Sequence, residues 1–515
     1  MRTSVRFANS SLGQTALGIL AGAITSLAFP PVGCWQLAPL TGAVLTYVSL
    51  NCASPRDALR VGGAYGAGLY GCTLSWLFVG IQPSHAPALA YGAPALAILA
   101  FATAPAVIAY VGALARCAGA GPVAVSGLLV PGLWTLGEWI RQFSAVRFPW
   151  AHLGYTQFPG SPLAVLAPLT GVLGIGYVTV LVGALLTAWL SNRNRSVRLG
   201  IAAMLVVICV VVAAGRAINW TQPVGETIRV ALYQGAFPTR EKFDLDLVLG
   251  ALETYGVAAR DSTSPILILP ETALPLREDQ LPDSYLDTLH ATALSEERDV
   301  LLSLFRSADT KPGYYSSAYT IGISGRQIRD KRVLVPFGEY VPAATWLRPL
   351  YERITTVPLL DTLPGSLEQG GIIIGGVRIA LKLCFEDVFA DLFRDEVAAA
   401  RFIVVMANDS WDGSNVPMDQ HLQITQARAA EAGKPLVRVA NTGWSAHIAA
   451  DGRVLSAAPV DQPSMLEVLV QPHEGVTPYI RYGDTIPLGV VALSVLITLL
   501  TTHSRSKTGL LTVAR

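Results

Sequence analysis

From Val61 to Ala115 the chain contains no Asp, Glu, Lys or Arg. A soluble domain carries roughly 25% charged residues and has no place to hide so long an uncharged run. A bilayer accepts it, because each helix crossing the hydrocarbon core needs about 17–25 mostly apolar residues. Composition agrees: of 515 residues, 52% are hydrophobic and only 14% are charged. Seven hydrophobic stretches precede residue 220, at Leu12–Phe29, Trp35–Cys52, Val61–Val79, Leu89–Leu114, Pro122–Ile140, Leu163–Leu190 and Leu199–Gly215. An eighth runs over Ile486–Thr502. Arg2 and Arg6 precede the first stretch as in a signal peptide. Further spans follow without a clean cleavage site, so the first stretch reads as an uncleaved helix.

Short-loop Lys and Arg residues set the orientation of such spans. If the eight spans alternate, one side collects Arg2, Arg6, Arg56, Arg60, Arg116, Arg193, Arg195, Arg198, Arg505, Lys507 and Arg515. The opposite short loops hold only Arg141 and Arg147. The expectation is a multi-pass protein of a bacterial inner membrane with both termini cytoplasmic and the long segment between spans seven and eight periplasmic. The domains expected are a seven-helix membrane part at 1–217, an extramembrane catalytic domain at 218–482, and an eighth helix with cytoplasmic tail at 483–515.

Residues 218–482 have ordinary charge density and alternate strand-like with helix-like runs. "IRVALYQ", "PILILPE", "VLLSLF", "YSSAYTIGI", "IIIGGVRIALKLCF", "FIVVMAN", "PLVRVANT" and "SAHIAADGRVL" read as strands. "DLDLVLGALETYGVAARD", "PDSYLDTLHATALSEERD" and "HLQITQARAAEAGK" read as helices between them. This alternation predicts an α/β domain with a covered sheet, and "AADGRV" carries the Asp-Gly signal of a hairpin. A net charge of +1 argues against a nucleic-acid surface. The six cysteines lack CxxC spacing and the seven histidines do not cluster, so neither a metal, a disulfide framework nor a cofactor is implied.

Three reactive side chains fall at or near strand ends, where α/β folds gather their chemistry. They are Glu271 in "ILILPETALP", Lys331 in "RDKRVLVPFGEYVP" and Cys384 in "IALKLCFEDVF". A cysteine attacks as thiolate, and a free thiol near pKa 8.5 is only slightly ionised at neutral pH. A carboxylate can take its proton, and an ammonium can hold a developing oxyanion. Two further acids stand close in sequence, Glu339 within the lysine motif and Glu386 two residues after the cysteine.

A Glu, Lys and Cys in this order resembles the nitrilase, or carbon–nitrogen hydrolase, superfamily. "LPETALP", "KRVLVPFGEYVP", "CFED", "ANDSW" and "QARAAEAGKPLVRVANTG" are similar to the bacterial apolipoprotein N-acyltransferases within it. "FPWAHLGYTQFPGSPLAVLAPLTGVLGIGYV" extends the resemblance into the membrane part. The resemblance implies a nitrilase-like αββα sandwich inserted in an eight-helix transmembrane α domain. It implies Glu271 as general base, Lys331 as oxyanion stabiliser and Cys384 as acyl-accepting nucleophile, with Glu339 and Glu386 supporting. The implied donor is a glycerophospholipid, most simply phosphatidylethanolamine, and the implied acceptor is the diacylglyceryl-cysteine of an apolipoprotein. Leu269, Phe385 and Asp412 depart from the residues the family often carries at those places.

The membrane part suits a lipid substrate. The loop 345–365, with Trp346, Leu347, Leu350, Tyr351, Ile354, Val357, Leu359 and Leu360, either rests on the bilayer or packs on the sandwich. Arg141–Gly160 carries Arg141, Arg147, Phe148, Trp150, Tyr155 and Phe158, a belt suited to phosphate groups or to generic aromatic anchoring. Two rival functions remain: a membrane-tethered amidase with the same chemistry, and a scaffold with a degenerate nitrilase domain.

Overall fold

The structure is a computed structural model that describes residues 10–80, 87–143, 147–238, 244–308, 313–341, 348–349, 352, 362–409 and 414–513. Two compact units emerge, one holding the chain up to Ile218 together with the part from Tyr482 onward, the other Asn219–Arg481.

In the first unit a helix stands at each of the eight apolar stretches. They are α1 (Ser11–Ser26), α2 (Leu40–Asn51), α3 (Pro55–Thr73), α4 (Pro87–Cys117), α5 (Pro122–Arg141, with one π turn), α6 (Ala167–Ser191), α7 (Arg195–Gly215) and, after the second unit, α12 (Thr485–Val513). Local chemistry starts them: Ser10 and Ser54 accept backbone N–H bonds as N-caps of α1 and α3, and Pro55 and Pro122 sit in first turns that need no N–H donor. Among the described residues, α4, α5, α6 with its preceding 3₁₀ turn, α7 and α12 are long and apolar enough to cross a bilayer. One of the others differs from its expected extent. Trp35–Cys52 is a 3₁₀ turn at Trp35–Leu37 followed by a 12-residue helix, α2. At about 1.5 Å per residue such a helix is well short of a ~30 Å hydrocarbon core.

Helices in this unit approach closely through glycine. A Cβ on Gly22 of α1 would lie 2.0 Å from the Tyr65 carbonyl oxygen of α3, and one on Gly68 of α3 would lie 2.1 Å from that of Ile19. Gly42 of α2 and Gly183 of α6 are equally tight against Val180 and Pro39. Within Arg141–Gly160 three rings of the expected belt turn inward: Trp150, Tyr155 and Phe158 are buried, Phe148 is half-buried, and Phe143 is exposed. The reason is local, since buried Glu138 of α5 accepts the Leu153 N–H at 2.7 Å and draws the segment inward. Arg141 donates to the Tyr70 hydroxyl at 3.1 Å and lies over the Phe101 ring.

The second unit holds two six-stranded sheets face to face. The strands are β1 (Ile228–Gln234), β2 (Ile266–Ile268), β3 (Asp299–Ser307), β4 (Tyr314–Gly322), β5 (Gln327–Asp330), β6 (Ile372–Ile374), β7 (Val377–Leu383), β8 (Phe402–Ala407), β9 (Leu436–Ala440), β10 (Ala446–Ile448), β11 (Val454–Ala457) and β12 (Ser464–Val470). One sheet has the order β12-β1-β2-β3-β4-β5 and the other β11-β10-β9-β8-β7-β6. In each, three central strands are parallel (β1, β2, β3 and β7, β8, β9) and the flanking strands antiparallel.

Alternate residues of these strands, among them Val230, Leu232, Ile268, Leu301, Ile379, Leu381, Val404 and Val439, form the core between the sheets. Each such side chain contributes about 1.5–3 kcal/mol when fully buried. The opposite face of the first sheet is covered by α8 (Leu245–Asp261) and α9 (Tyr285–Ser295), through Leu252, Tyr255 and Leu289. On the second sheet's side lie α10 (Arg394–Ala399) and α11 (Val416–Ala432), α11 ending at Gly433 with φ +60°. The result is the expected αββα sandwich. "IIIGGVRIALKL" is not one strand but the β6–β7 hairpin, turned at Gly375 and Gly376, both with positive φ. Strands β5 and β12 fall outside the runs read from sequence, β5 because it has four residues, two of them charged, and β12 because Glu467 interrupts its apolar pattern.

Candidate active site

Strand β2 is buried throughout, and Leu269 continues its ladder by donating to the Leu301 carbonyl at 2.8 Å. The chain then turns through Thr272, φ +54°, leaving Glu271 in a buried position just beyond the strand end. Lys331 follows β5 directly. Its backbone is held on both sides, donating to Ser316 O and accepting from Gly365 N, each at 2.8 Å. Its side chain is fully buried, and its Nζ donates to Glu271 Oε1 at 2.8 Å and to Glu339 Oε1 at 2.7 Å. Glu339 is fixed in turn, its Oε2 accepting the Val335 N–H at 2.8 Å. Burial alone would push the Lys331 ammonium down; the Glu271 and Glu339 carboxylates outweigh it and hold it well above the ordinary lysine value.

Cys384 directly follows β7 and opens a 3₁₀ turn, Cys384–Val388, with φ +47°. A non-glycine residue in that region is strained and persists only where its surroundings over-determine it. The sulfur-bearing residue is buried against Ala407 and Ala440, the last residues of the parallel neighbours β8 and β9. Burial and the Glu271 carboxylate push the thiol well above its usual pKa, with Asp409 adding to them, while Lys331 and the Asn408 backbone N–H pull the other way. The resting sulfur is therefore a thiol whose proton has a carboxylate to go to and whose anion would have an ammonium and an N–H to meet.

Glu386 is wholly buried and acts as a backbone clip. Its Oε2 accepts Leu383 N at 2.9 Å, and its Oε1 accepts Arg332 N at 2.5 Å and Val333 N at 3.3 Å. It thereby ties the residue before Cys384 to the residues after Lys331. Burial raises its pKa, opposed by Arg329 and by those backbone donors. Of the residues expected from sequence, Glu271, Lys331, Glu339, Cys384 and Glu386 thus form one connected cluster. Leu269 is core, Phe385 is buried edge-to-face on Phe389, and Asp412 lies outside the described residues, as do the eight apolar side chains named in the 345–365 loop.

Other participants went unread in the sequence. Glu396 of α10 receives Arg329 and Arg332, both at 2.9 Å, and the Leu381 N–H at 2.9 Å, tying residues on both sides of Lys331 to the strand that leads to Cys384. The Asn408 N–H is a main-chain group and carries no sequence signal.

Comparison with known proteins bears on this geometry. Residues 21–185 match the family described as Apolipoprotein N-acyltransferase N-terminal domain, and residues 229–475 match Carbon-nitrogen hydrolase. An apolipoprotein N-acyltransferase of Nitrosomonas europaea is 33% identical over 488 residues, 92% of this chain and 95% of that protein. Proteins of the same name from Methylococcus capsulatus, 34% identical over 487 residues, and Chromobacterium violaceum, 33% over 489, cover this chain to 92% and 93% and are themselves covered to 94% and 92%. With both halves matched and the relatives aligned almost end to end, the chain belongs to the apolipoprotein N-acyltransferase family.

Proposed function

We propose that this membrane protein transfers an acyl chain from a glycerophospholipid to the N-terminal diacylglyceryl-cysteine of apolipoproteins through a thioester on Cys384. The observation that carries this reading is the arrangement around Lys331: one buried ammonium bonded to two carboxylates beside a buried thiol on a strained turn.

In the first step the Cys384 sulfur attacks an ester carbonyl carbon of the phospholipid. Its proton passes to Glu271, and Lys331 stabilises the oxyanion. The carbon–oxygen bond breaks, Glu271 returns the proton to the departing lysophospholipid, and a thioester remains. In the second step the free α-amine of the diacylglyceryl-cysteine attacks the thioester carbonyl. The carbon–nitrogen bond forms, the carbon–sulfur bond breaks, and a proton from the amine restores the thiol by way of Glu271. This is double-displacement covalent catalysis. Glu339 holds Lys331, and Glu386 keeps the lysine and cysteine segments in register. Phosphatidylethanolamine is the proposed donor.

The proposed topology makes residues 1–217 and 483–515 the membrane part and 218–482 a periplasmic catalytic domain, with both termini cytoplasmic. The eleven-to-two bias of short-loop cations supports it.

The test is the intact mass of the purified protein after incubation with phosphatidylethanolamine vesicles. One added acyl mass that maps to Cys384 and disappears on adding a diacylglyceryl peptide is expected. An unchanged mass together with hydrolysis of small amides would replace this reading with a tethered amidase.

A further inference from the structure

Behind the nucleophile lies a second set of buried charges that the acyl-transfer scheme leaves unused. Asp387 stands three residues after Cys384 in the same 3₁₀ turn, and its Oδ2 accepts the Thr425 hydroxyl of α11 at 2.5 Å. The same hydroxyl oxygen accepts Arg438 Nη1 of β9 at 3.1 Å. Nη2 of Arg438 donates to Asp409 Oδ2, and Asp409 Oδ1 lies 2.9 Å from His421 Nδ1. Lys382 of β7 sits 3.6 Å from Asp387 Oδ1 and over the Phe393 ring. Lys382, Asp387, Asp409, His421, Thr425 and Arg438 are all buried.

The path of these bonds matters more than their number. Asp387 belongs to the turn that carries Cys384; Asp409 belongs to the turn after β8, which starts from Ala407, packed against Cys384, and runs through Asn408, whose backbone N–H favours the thiolate. Asp387, Thr425, Arg438 and Asp409 therefore join the two backbone segments that flank the sulfur, one carrying it and one donating to it. Strained backbone at a functional site requires such outside restraint. Glu386 restrains the turn from the Lys331 side, and this chain restrains it from the β8 side. Its two acids are matched by Arg438 and Lys382, so it can fasten without adding much net charge beside the thiol.

We propose that Asp387, Thr425, Arg438 and Asp409 form a buried clasp that positions Cys384, holding its strained turn and the Asn408 N–H at the separation that lets the sulfur ionise and attack. These are positioning residues, since they act through Cys384 and Asn408, and the proposal rests on the reading of Cys384 as the nucleophile.

The sensitive readout is the pH profile of Cys384 alkylation by iodoacetamide in the full-length, detergent-solubilised protein, followed by peptide mass. The charged groups acting on the sulfur are Glu271, Lys331 and Asp409, and all three are retained in the variants used. Thr425→Val removes the bridging hydroxyl at nearly constant volume. Its alkylation midpoint should move to higher pH and its single-turnover acylation by phospholipid should fall at least about tenfold, the equivalent of about one unit in the pKa of the thiol. Thr425→Ser, which restores the hydroxyl, should restore both. Arg438→Lys keeps the charge but cannot bridge Thr425 and Asp409 together; it carries the same expectation and serves where Thr425→Val fails to fold. Wild-type midpoint and acylation rate in either folded variant, even with lowered thermal stability, would reduce the clasp to ordinary core packing and overturn the proposal. Cys384→Ala run alongside tests the underlying reading separately: acyl-enzyme in that variant removes the nucleophile assignment and the clasp with it.

Discussion

Lys331 Nζ lies 2.8 Å from Glu271 Oε1, a contact across 60 residues of sequence and between the ends of strands in one sheet. Because Lys331 is fully buried, neither partner can borrow water if the other is lost. Glu271→Gln keeps the shape and removes the proton acceptor; Lys331→Met keeps the stem and removes the charge. Thioester formation in a single-turnover assay should drop by about 10²–10³ in Lys331→Met, the usual cost of one missing oxyanion donor, and by about 10²–10⁴ in Glu271→Gln, the usual cost of a lost general base. A rate near wild type in either variant would show that its role is misassigned.

Cys384 has φ +47°, which makes its replacement informative beyond loss of activity. Cys384→Ala and Cys384→Gly should both be devoid of acyl-enzyme. Thermal unfolding in detergent should find the glycine variant at least as stable as the alanine variant. That order is the reverse of an ordinary strand or helix site, where glycine is roughly 0.5–1 kcal/mol worse. An alanine variant clearly the more stable would mean the turn is not strained.

Glu386 satisfies backbone donors rather than substrate. Glu386→Ala would orphan the Leu383 and Arg332 N–H groups inside the protein, at about 1–3 kcal/mol for each. Thermal denaturation should reveal that loss, with Glu386→Gln falling between it and wild type because one acceptor oxygen remains. If the alanine variant melts like wild type, the clip is not needed.

Asp409 predicts a pH signature. Burial opposes its ionisation, but Arg438 and His421 outweigh burial and lower its pKa from 3.8 to about 2. A depressed folded pKa contributes stability that is present above the unfolded value and is lost as pH falls through the folded one. Asp409→Asn, which strands Arg438, should therefore cost roughly 3–5 kcal/mol near neutral pH. The deficit relative to wild type should narrow only as pH drops from about 4 toward 2. A deficit independent of pH down to 2 would contradict a charged pair.

The proposed topology is testable with a membrane-impermeant thiol reagent on intact spheroplasts. Cys72, Cys117 and Cys209 are exposed in the helical unit, so the background must be cysteine-free. A cysteine at Ser307, exposed at the end of β3, should react at once, and one at Ser196, exposed in the first turn of α7 beside Arg193, Arg195 and Arg198, only after lysis. The reverse pattern would put the catalytic domain in the cytoplasm.

Glu271 and Cys384 were legible because each follows a strand-like run, whereas Lys331, whose strand β5 was not read, was legible through the motif around it and its company with the other two. Glu339 and Glu386 were legible only through the motif around them. The clasp was harder to see, since its members lie on two turns, a helix and the middle of a strand that only the sheet order brings together. A signal existed all the same: Arg438 inside "PLVRVA" and Lys382 inside "IALKL" are charges within runs otherwise apolar, and buried charges require partners. The Asn408 N–H could not be read, because every residue but proline has one. In the membrane part, hydrophobicity located the helices but overestimated some lengths, since the pattern does not distinguish a helix from the apolar turn leading into it, as at Trp35–Leu37.

The paired glycines of α1 with α3 and of α2 with α6 give the two units different vulnerabilities. In lipid, apolar helices gain nothing by avoiding water, so cohesion there depends on how closely backbones meet. The sandwich, by contrast, is held by its withdrawal from water. Urea should therefore loosen the catalytic unit first and leave helical signal behind, whereas a harsh detergent should separate the helices while the sheets persist. A single bulky side chain at Gly42 or Gly183 should act like a local dose of that detergent, making the protein sensitive to solubilisation conditions that the parent tolerates.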